Sequence, residues 1–143
     1  MAVCFSTMEG VRIIPLKKVL DKRGNLSVIE ENKDVPFSIR RAYWIYDVPG
    51  GEERGGHAYL KNKEFIVAIS GSFDLYLDNG KEREVFHLNR SYYGVLVENG
   101  IWRQMKDFST NSLAFIVSSE DYDEADYVRD YEAFINILND AHC

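Results

Sequence analysis

An alternating segment followed by a turn signal most limits what this chain can fold into. Phe73, Leu75 and Leu77 are separated by single more polar residues, which is the period expected of a half-buried strand. The turn signal is Asp78-Asn79-Gly80, where Asn-Gly supplies the positive φ angles of a tight hairpin turn. The sequence therefore predicts an antiparallel hairpin that turns near residue 79.

Short apolar or alternating runs of the same kind recur along most of the chain, with turn signals between them. Many short strands at such spacing are typical of a β-sandwich or a β-barrel. The runs occupy residues 11–14, 26–30, 39–46, 65–70, 72–77, 85–88, 94–97 and 112–117.

The C-terminal part has a different period. Tyr127, Tyr131, Phe134, Ile135 and Leu138 recur at helical spacing and predict one amphipathic helix over about residues 124–139. We expect its apolar face to pack on the barrel or on a second subunit. The predicted fold is one all-β domain spanning 1–143, with a barrel core of about 11–118 and a C-terminal helix.

Composition excludes several classes of function. The chain has 143 residues, is 45% hydrophobic and carries a net charge of −6, which disfavours binding to nucleic acid or to an anionic membrane surface. Cys4 and Cys143 do not form a disulfide framework, and reduced thiols fit a cytoplasmic protein. We see neither a signal peptide nor an apolar stretch of membrane-spanning length.

The most specific motif lies between Gly51 and Gly71. It contains His57, Tyr59 and Glu64, and it resembles the first motif of the cupin family, whose members are jelly-roll β-barrels. Residues two apart on a strand face the same side, so His57 and Tyr59 are expected to project together into the barrel.

The resemblance also bears on metal binding. In metal-binding cupins the motif supplies two histidines and an acidic residue, and a later histidine completes the ligand set. Here Tyr59 replaces the second histidine, and Arg103 lies where the later ligand is expected. Arginine stays protonated and cannot ligate a metal. We therefore predict no catalytic metal and no other cofactor.

A closer resemblance covers roughly residues 12–135. Arg54-Gly55-Gly56-His57-Ala58-Tyr59 resembles the RGxHAH signature of the dTDP-4-keto-6-deoxyglucose 3,4-ketoisomerases. Further segments that resemble the family's landmarks are Asp21-Lys22-Arg23-Gly24-Asn25-Leu26, Glu30-Glu31-Asn32-Lys33, Arg41-Ala42-Tyr43-Trp44, Trp102-Arg103-Gln104-Met105 and Asp121-Tyr122-Asp123-Glu124.

The resemblance implies a homodimeric isomerase that acts without a metal on a dTDP-linked keto sugar. It would convert dTDP-4-keto-6-deoxy-D-glucose to the 3-keto isomer, of either galacto or gluco configuration. Such products feed an aminotransferase that makes dideoxyamino sugars for bacterial surface glycans.

Eight residues are the predicted site. His57 is the expected base, because histidine titrates near neutrality, and Tyr59 is expected to protonate or polarise an enediol oxygen. Arg54 is the first candidate for the diphosphate, since a guanidinium binds phosphate with two hydrogen bonds. The other expected substrate-binding residues are Arg23, Tyr43, Lys61, Glu64 and Arg103.

Three alternatives stay open from the sequence. The tyrosine in place of the second histidine also fits a non-catalytic sugar-nucleotide-binding module. A C3/C5 epimerase would use the same scaffold and substrate, and a metal-dependent dioxygenase would use the same fold.

Overall fold

Strands dominate residues 8–141, which are the part of the chain that this computed structural model describes. Cys4 and Cys143, on which the argument about disulfides rests, lie outside that part. The strands are β1 (Val11–Pro15), β2 (Lys18–Val19), β3 (Leu26–Ser27), β4 (Arg41–Tyr46), β5 (Arg54–Tyr59), β6 (Glu64–Ser70), β7 (Phe73–Asp78), β8 (Arg83–Leu88), β9 (Tyr93–Val97), β10 (Trp102–Lys106), β11 (Leu113–Ser118) and β12 (Tyr127–Val128). One α-helix, α1, spans Tyr131–Ala141.

Two five-stranded antiparallel sheets make up the body of the fold. The first has the order β1-β9-β6-β11-β4 and the second the order β12-β5-β10-β7-β8. Neighbours in each sheet are mostly distant in sequence, as in a jelly roll. The all-β, cupin-like fold with a C-terminal helix that the sequence predicts is confirmed.

The main core fills the space between the sheets. Phe73, Leu75 and Leu77 are at most 2% exposed, so the alternation seen in the sequence does mark an inward face. The predicted hairpin is also confirmed, because β7 pairs with β8 and Gly80 has a φ of 91°. Asn79 closes the turn by accepting hydrogen bonds from the backbone N–H groups of residues 81 and 82.

A second core covers the outer face of the first sheet. Val35 and Phe37, from the long segment between β3 and β4, pack there against Phe65 and Val67 of β6. Because β6 is covered on both faces, its first five residues are all buried. Glu64, the first residue of this strand, is therefore buried in the interior.

The predicted helix is wrong at its N-terminal end. Residues 124–126 form a 3-10 turn, Tyr127–Val128 form β12, and α1 begins only at Tyr131. Asp126 ends the 3-10 turn and lies outside the α-helix, and its carboxylate accepts hydrogen bonds from the N–H groups of Lys61 and Asn62. Asp130 starts the helix instead, since its carboxylate accepts the N–H of residue 133 at 3.2 Å.

Helix α1 packs on the second sheet, as expected from its apolar face. Phe134 is 2% exposed and lies against Trp102 of β10, with ring centroids 5.8 Å apart. Within residues 8–141, neither α1 nor the 3-10 turn combines the length and apolarity that a membrane-spanning helix requires.

Candidate active site

A cavity of about 540 Å³ lies between β4 of the first sheet and β5 and β10 of the second, with β12 at its side. Its wall combines three guanidinium groups with six aromatic or imidazole rings. Such a wall suits a ligand that carries both negative charge and flat rings. The lining residues are Arg41, Tyr43, Trp44, Ile45, Glu53, Arg54, Gly55, His57, Tyr59, Met105, Tyr122, Tyr127 and Arg129.

A bulge in β5 sets which way the motif residues face. His57 is paired with Arg103 of β10, but Gln104 is paired with Gly55, so Gly56 is an extra residue. Gly55 and Gly56 have φ angles of 92° and 77°, which glycine adopts without strain. After the bulge, His57 and Tyr59 both point into the cavity, as predicted from their spacing.

His57, Tyr59 and Tyr127 form a cluster of three rings. The centroid of His57 is 4.9 Å from that of Tyr59 and 5.0 Å from that of Tyr127. The two tyrosine rings are 4.7 Å apart because β12 pairs Tyr127 directly with Tyr59. The contacts are edge-to-face, which is a favourable arrangement for aromatic rings.

The imidazole of His57 is neutral at ordinary pH. Burial, followed by the positive charges of Arg103 and Arg129, lowers the pKa of His57 to about 3. Neither ring nitrogen has a hydrogen-bond partner of good geometry among residues 8–141. A buried neutral nitrogen facing a cavity is free to accept a proton or a hydrogen bond from a ligand.

The phenol of Tyr59 also stays neutral. Burial, the carboxylate of Glu64 and the neighbouring side chain of Tyr127 raise its pKa above the ordinary value. Tyr59 therefore acts in this cavity as an O–H donor rather than as a phenolate.

A buried hydrogen-bond network lies behind these rings, centred on Glu64 at the start of β6. One carboxylate oxygen accepts from Arg103 Nη1 at 2.8 Å. The other accepts from the Tyr43 hydroxyl at 2.6 Å and from the Ser118 hydroxyl at 2.9 Å. Because all three donors come from different strands, the network ties the two sheets together behind the cavity.

Two of the predicted substrate-binding residues belong to this network. Glu64 and Arg103 have fully buried side chains, and neither lines the cavity. The guanidinium carbon of Arg103 lies 4.8 Å from the ring centroid of Tyr59. Tyr43 does line the cavity, and its hydroxyl is held by Glu64.

The mouth of the cavity carries two more cations. Arg54 is exposed there and makes no ion pair within the described part of the chain, so its charge is available. Arg129 lies 4.3 Å from the ring centroid of Tyr127 and pairs with Glu124 at 2.8 Å. The hydroxyl of Tyr122 donates to the same carboxylate at 2.6 Å.

Two other predicted contacts lie away from the cavity in this chain. Arg23 is in the β2–β3 connection, where its side chain is 84% exposed and pairs with Asp21. Lys61 lines a different groove, beside Arg40 and Lys63. A single chain therefore does not bring these two cations to His57.

Sequence reasoning missed four residues that the fold brings to the site: Arg41, Tyr122, Tyr127 and Arg129. Three of them belong to the segment after β11. No local sequence pattern predicts that this segment packs beside β5. Arg41 was findable, because it is two residues from Tyr43 on the same strand and must share its face.

Side chains that could ligate a metal are not grouped together in the described part of the chain. In residues 8–141 no three side chains of His, Cys, Asp or Glu type cluster in a way that would hold an ion. The expectation of metal-independent chemistry stays a prediction, for which metal analysis is the test.

Comparison with known proteins gives a consistent result. Residues 9–139 match the family model described as FdtA: WxcM-like, C-terminal. A TDP-4-oxo-6-deoxy-alpha-D-glucose-3,4-oxoisomerase from Aneurinibacillus thermoaerophilus is 41% identical over 123 residues, which is 86% of this chain and 88% of that protein.

Solved structures agree with the sequence match. The sugar 3,4-ketoisomerase QdtA from Thermoanaerobacterium thermosaccharolyticum, in complex with TDP, superposes with a TM-score of 0.92 at 31% identity, covering 96% of this chain and 100% of that one. The TDP-quinovose 3,4-ketoisomerase WlaRB from Campylobacter jejuni gives a TM-score of 0.87 at 36% identity, covering 90% and 99%.

Proposed function

The chain belongs to the FdtA, WxcM-like C-terminal family, and from that premise we propose that it isomerises dTDP-4-keto-6-deoxy-D-glucose to a dTDP-3-keto-6-deoxyhexose. It is thus an isomerase of a nucleotide-linked keto sugar. The sequence left open a binding module and a C3/C5 epimerase. The relatives described above are named as 3,4-oxoisomerases or 3,4-ketoisomerases instead.

One observation carries the assignment of the chemistry. His57 presents to the cavity a neutral imidazole that makes no hydrogen bond of good geometry with residues 8–141, and the Tyr59 ring centroid is 4.9 Å away. Proton removal next to a ketone requires a neutral base and a nearby hydrogen-bond donor. The two side chains supply these two properties side by side.

The reaction needs only proton transfers. His57 takes the C3 proton, the C–H electron pair forms the C3–C4 double bond, and the carbonyl pair moves to O4. The hydroxyl proton of O3 is then passed to O4, with the Tyr59 phenol as donor to one oxygen and acceptor from the other. Return of a proton to C4 places the carbonyl at C3, and the enzyme ends in its starting state.

Arg54 is the proposed contact to the diphosphate. It lies at the mouth of the cavity, on the same strand as His57, and has no ion-pair partner among residues 8–141. A planar guanidinium binds a phosphate group with two parallel hydrogen bonds. The diphosphate would then hold the sugar end of the ligand toward His57.

A homodimer is part of the proposal. The β2–β3 hairpin leaves Val19, Leu20 and Leu26 at 43%, 70% and 58% exposed, and a two-stranded hairpin is marginally stable alone. Trp44 and Tyr46, on edge strand β4, are 55% and 61% exposed as well. Apolar surface of this kind is buried in an oligomer.

We also propose a cytoplasmic location, because the two cysteines do not form a disulfide framework and reduced thiols fit that compartment.

The activity is tested by incubating the protein with dTDP-4-keto-6-deoxy-D-glucose in D₂O and following the sugar ring by NMR. Movement of the carbonyl from C4 to C3 with deuterium at C4 supports the proposal. Binding without exchange would identify a binding module. Deuterium at C5 without carbonyl migration would identify an epimerase.

The dimer is tested by light scattering on the eluting peak of a gel-filtration column. A mass of about twice the 16.5 kDa chain is expected. Leu20→Glu, which places a charge on the exposed hairpin, should shift the peak toward the monomer.

A further inference from the structure

Arg41 is a cavity residue to which the proposed reaction has so far given no role. It is the first residue of β4, and Tyr43 and Ile45 follow it on the same inward face. Its guanidinium carbon lies 5.7 Å from the ring centroid of Tyr43 and 5.6 Å from that of Tyr122. Two rings thus hold the cation in the inner wall.

Two nitrogens of the Arg41 guanidinium are left without a hydrogen bond by the described part of the chain. Nε and Nη1 of Arg41 are buried and have no hydrogen-bond partner among the described residues. Neighbouring arginines differ, because Arg40 pairs with Asp121 and Arg129 pairs with Glu124, both at short distance. A buried charged donor without a partner costs free energy, and this cost is removed when a ligand oxygen accepts the bond.

The proposed reaction generates an anion in this cavity. When the C3 proton leaves, negative charge develops first on O4 and then on O3 of the enediolate. His57 carries a positive charge only while it holds the C3 proton, and Tyr59 is neutral, so neither brings a permanent positive charge to the sugar. A fixed cation aimed at the developing charge is a large source of rate acceleration.

We propose that Arg41 is a catalytic residue that binds the enediolate oxygens and stabilises the negative charge formed on them. This inference rests on the proposed isomerase function. A planar guanidinium suits the task because the two enediolate oxygens are adjacent and lie in one plane.

The position of Arg41 separates it from the diphosphate contacts. Arg54 is exposed, and the Arg129 side chain is 54% exposed at the mouth. Arg41 is partly buried in the same cavity wall as Tyr59 and Tyr127. These two rings lie beside His57, at the reacting end of the cavity.

The test compares Arg41→Gln with the matched control Arg40→Gln. Arg40 is the adjacent arginine, points to the outer groove and is 58% exposed in its pair with Asp121. For Arg41→Gln we expect kcat to fall by roughly 10²- to 10³-fold, with deuterium exchange at the sugar slowed equally and with the Kd for TDP changed by less than about threefold. Arg40→Gln should match the wild type in all three.

Two further variants keep the test informative if the glutamine variant folds poorly. Arg41→Lys retains the charge and should lose less activity than Arg41→Gln. Arg41→Ala should regain kcat on addition of guanidinium ion at concentrations below those that unfold the protein.

The outcomes are distinguishable. A wild-type protein that binds TDP but does not isomerise the sugar overturns the proposed function, and this inference with it. An active wild type whose Arg41→Gln variant keeps its kcat overturns the inference alone. If weaker binding of TDP by Arg41→Gln accounts for its whole loss of activity, Arg41 contacts the diphosphate instead. That result would also overturn the inference.

Discussion

The guanidinium carbon of Arg103 lies 4.8 Å from the ring centroid of Tyr59, while Nη1 of the same side chain donates to Glu64 at 2.8 Å. Arg103 therefore contacts the phenol from inside the barrel and has its charge balanced by a buried carboxylate. A desolvated cation over a tyrosine ring contributes about 2 kcal/mol and fixes the ring orientation. The Tyr59 ring is thus supported from within the barrel by a fully buried ion pair.

Removing one partner of that pair should destabilise the fold. Arg103→Met leaves the Glu64 carboxylate buried without a cation, and we expect the free energy of unfolding to fall by about 3–5 kcal/mol. Urea denaturation at neutral pH measures it. Arg40→Met, which removes the arginine of an exposed pair, should cost less than about 1 kcal/mol. Equal losses in the two variants would contradict a structural role for Arg103.

The hydroxyl of Tyr59 should matter for rate rather than for folding. Tyr59→Phe keeps the ring contacts with His57 and Arg103 but removes the O–H donor, so kcat should fall by about 10²-fold with little change in unfolding free energy. Tyr59→His restores the second histidine of the family signature and should be more active than the phenylalanine variant. Tyr76→Phe, outside the cavity, is the matched control. A fully active Tyr59→Phe protein would remove the phenol from the mechanism.

His57 should be required for turnover but not for nucleotide binding. His57→Asn removes the base, and kcat is expected to fall by at least about 10²- to 10⁴-fold, while the Kd for TDP measured by calorimetry stays close to that of the wild type. His87→Asn replaces an exposed histidine that pairs with Asp74 and should leave kcat unchanged. Wild-type turnover in His57→Asn would mean that another group is the base.

The low pKa of His57 predicts two pH profiles. The folded-state pKa is about 3 against an ordinary value of 6.5, so between these values the unfolded chain binds more protons than the folded one. Protonation of His57 in the unfolded chain therefore lowers the free energy of unfolding below about pH 6.5, and the loss grows as the pH falls toward 3. Above about pH 6.5 the imidazole is neutral in both states and this loss is absent. The free-enzyme profile of kcat/KM should show no inflection near 6.5 on its acid side.

The His57→Asn variant is the control for the stability profile. Its unfolding free energy should fall less steeply between pH 6.5 and pH 4 than that of the wild type, measured by urea denaturation at each pH. Parallel curves would show that the imidazole already has its ordinary pKa in the folded protein.

Gly55 should be intolerant of a side chain for two reasons. Its φ of 92° is strained for other residues, and an added Cβ would lie 3.0 Å from the Arg103 carbonyl oxygen and 3.2 Å from the Gln104 Cα. Gly55→Ala should lower both the thermal midpoint and kcat, because the bulge that orients His57 must shift. Gly51→Ala has a similar φ of 84° but an open surrounding, and should affect stability alone. A kcat loss of the same size in Gly51→Ala would argue against the bulge.

The sequence was most informative where a local pattern decides the structure. The alternation of Phe73, Leu75 and Leu77 marks a strand, and the two-residue spacing of His57 and Tyr59 places them on one face. Both follow from the geometry of a single strand. The fold class could be predicted because such segments recur with turns between them.

Long-range contacts explain what could not be predicted. Glu64 and Arg103 have the charge of surface or ligand-binding residues, and only the meeting of β6 and β10 across the barrel turns them into a buried pair. Tyr127 continues the helical spacing of the residues after it, yet β12 pairs with β5 and the Asp126 carboxylate binds the backbone beside it. Neither the Glu64–Arg103 pair nor the pairing of β12 with β5 can be predicted from the local sequence.

The late position of β12 in the chain affects how the protein is made. Both sheets can pair through β11, which ends at Ser118, but the wall that brings Tyr127 against His57 follows only afterwards. During translation β5 therefore lacks its neighbour β12 until residues 127–128 have been made. The rings of His57 and Tyr127 can meet only later in synthesis than the strands that end by Ser118.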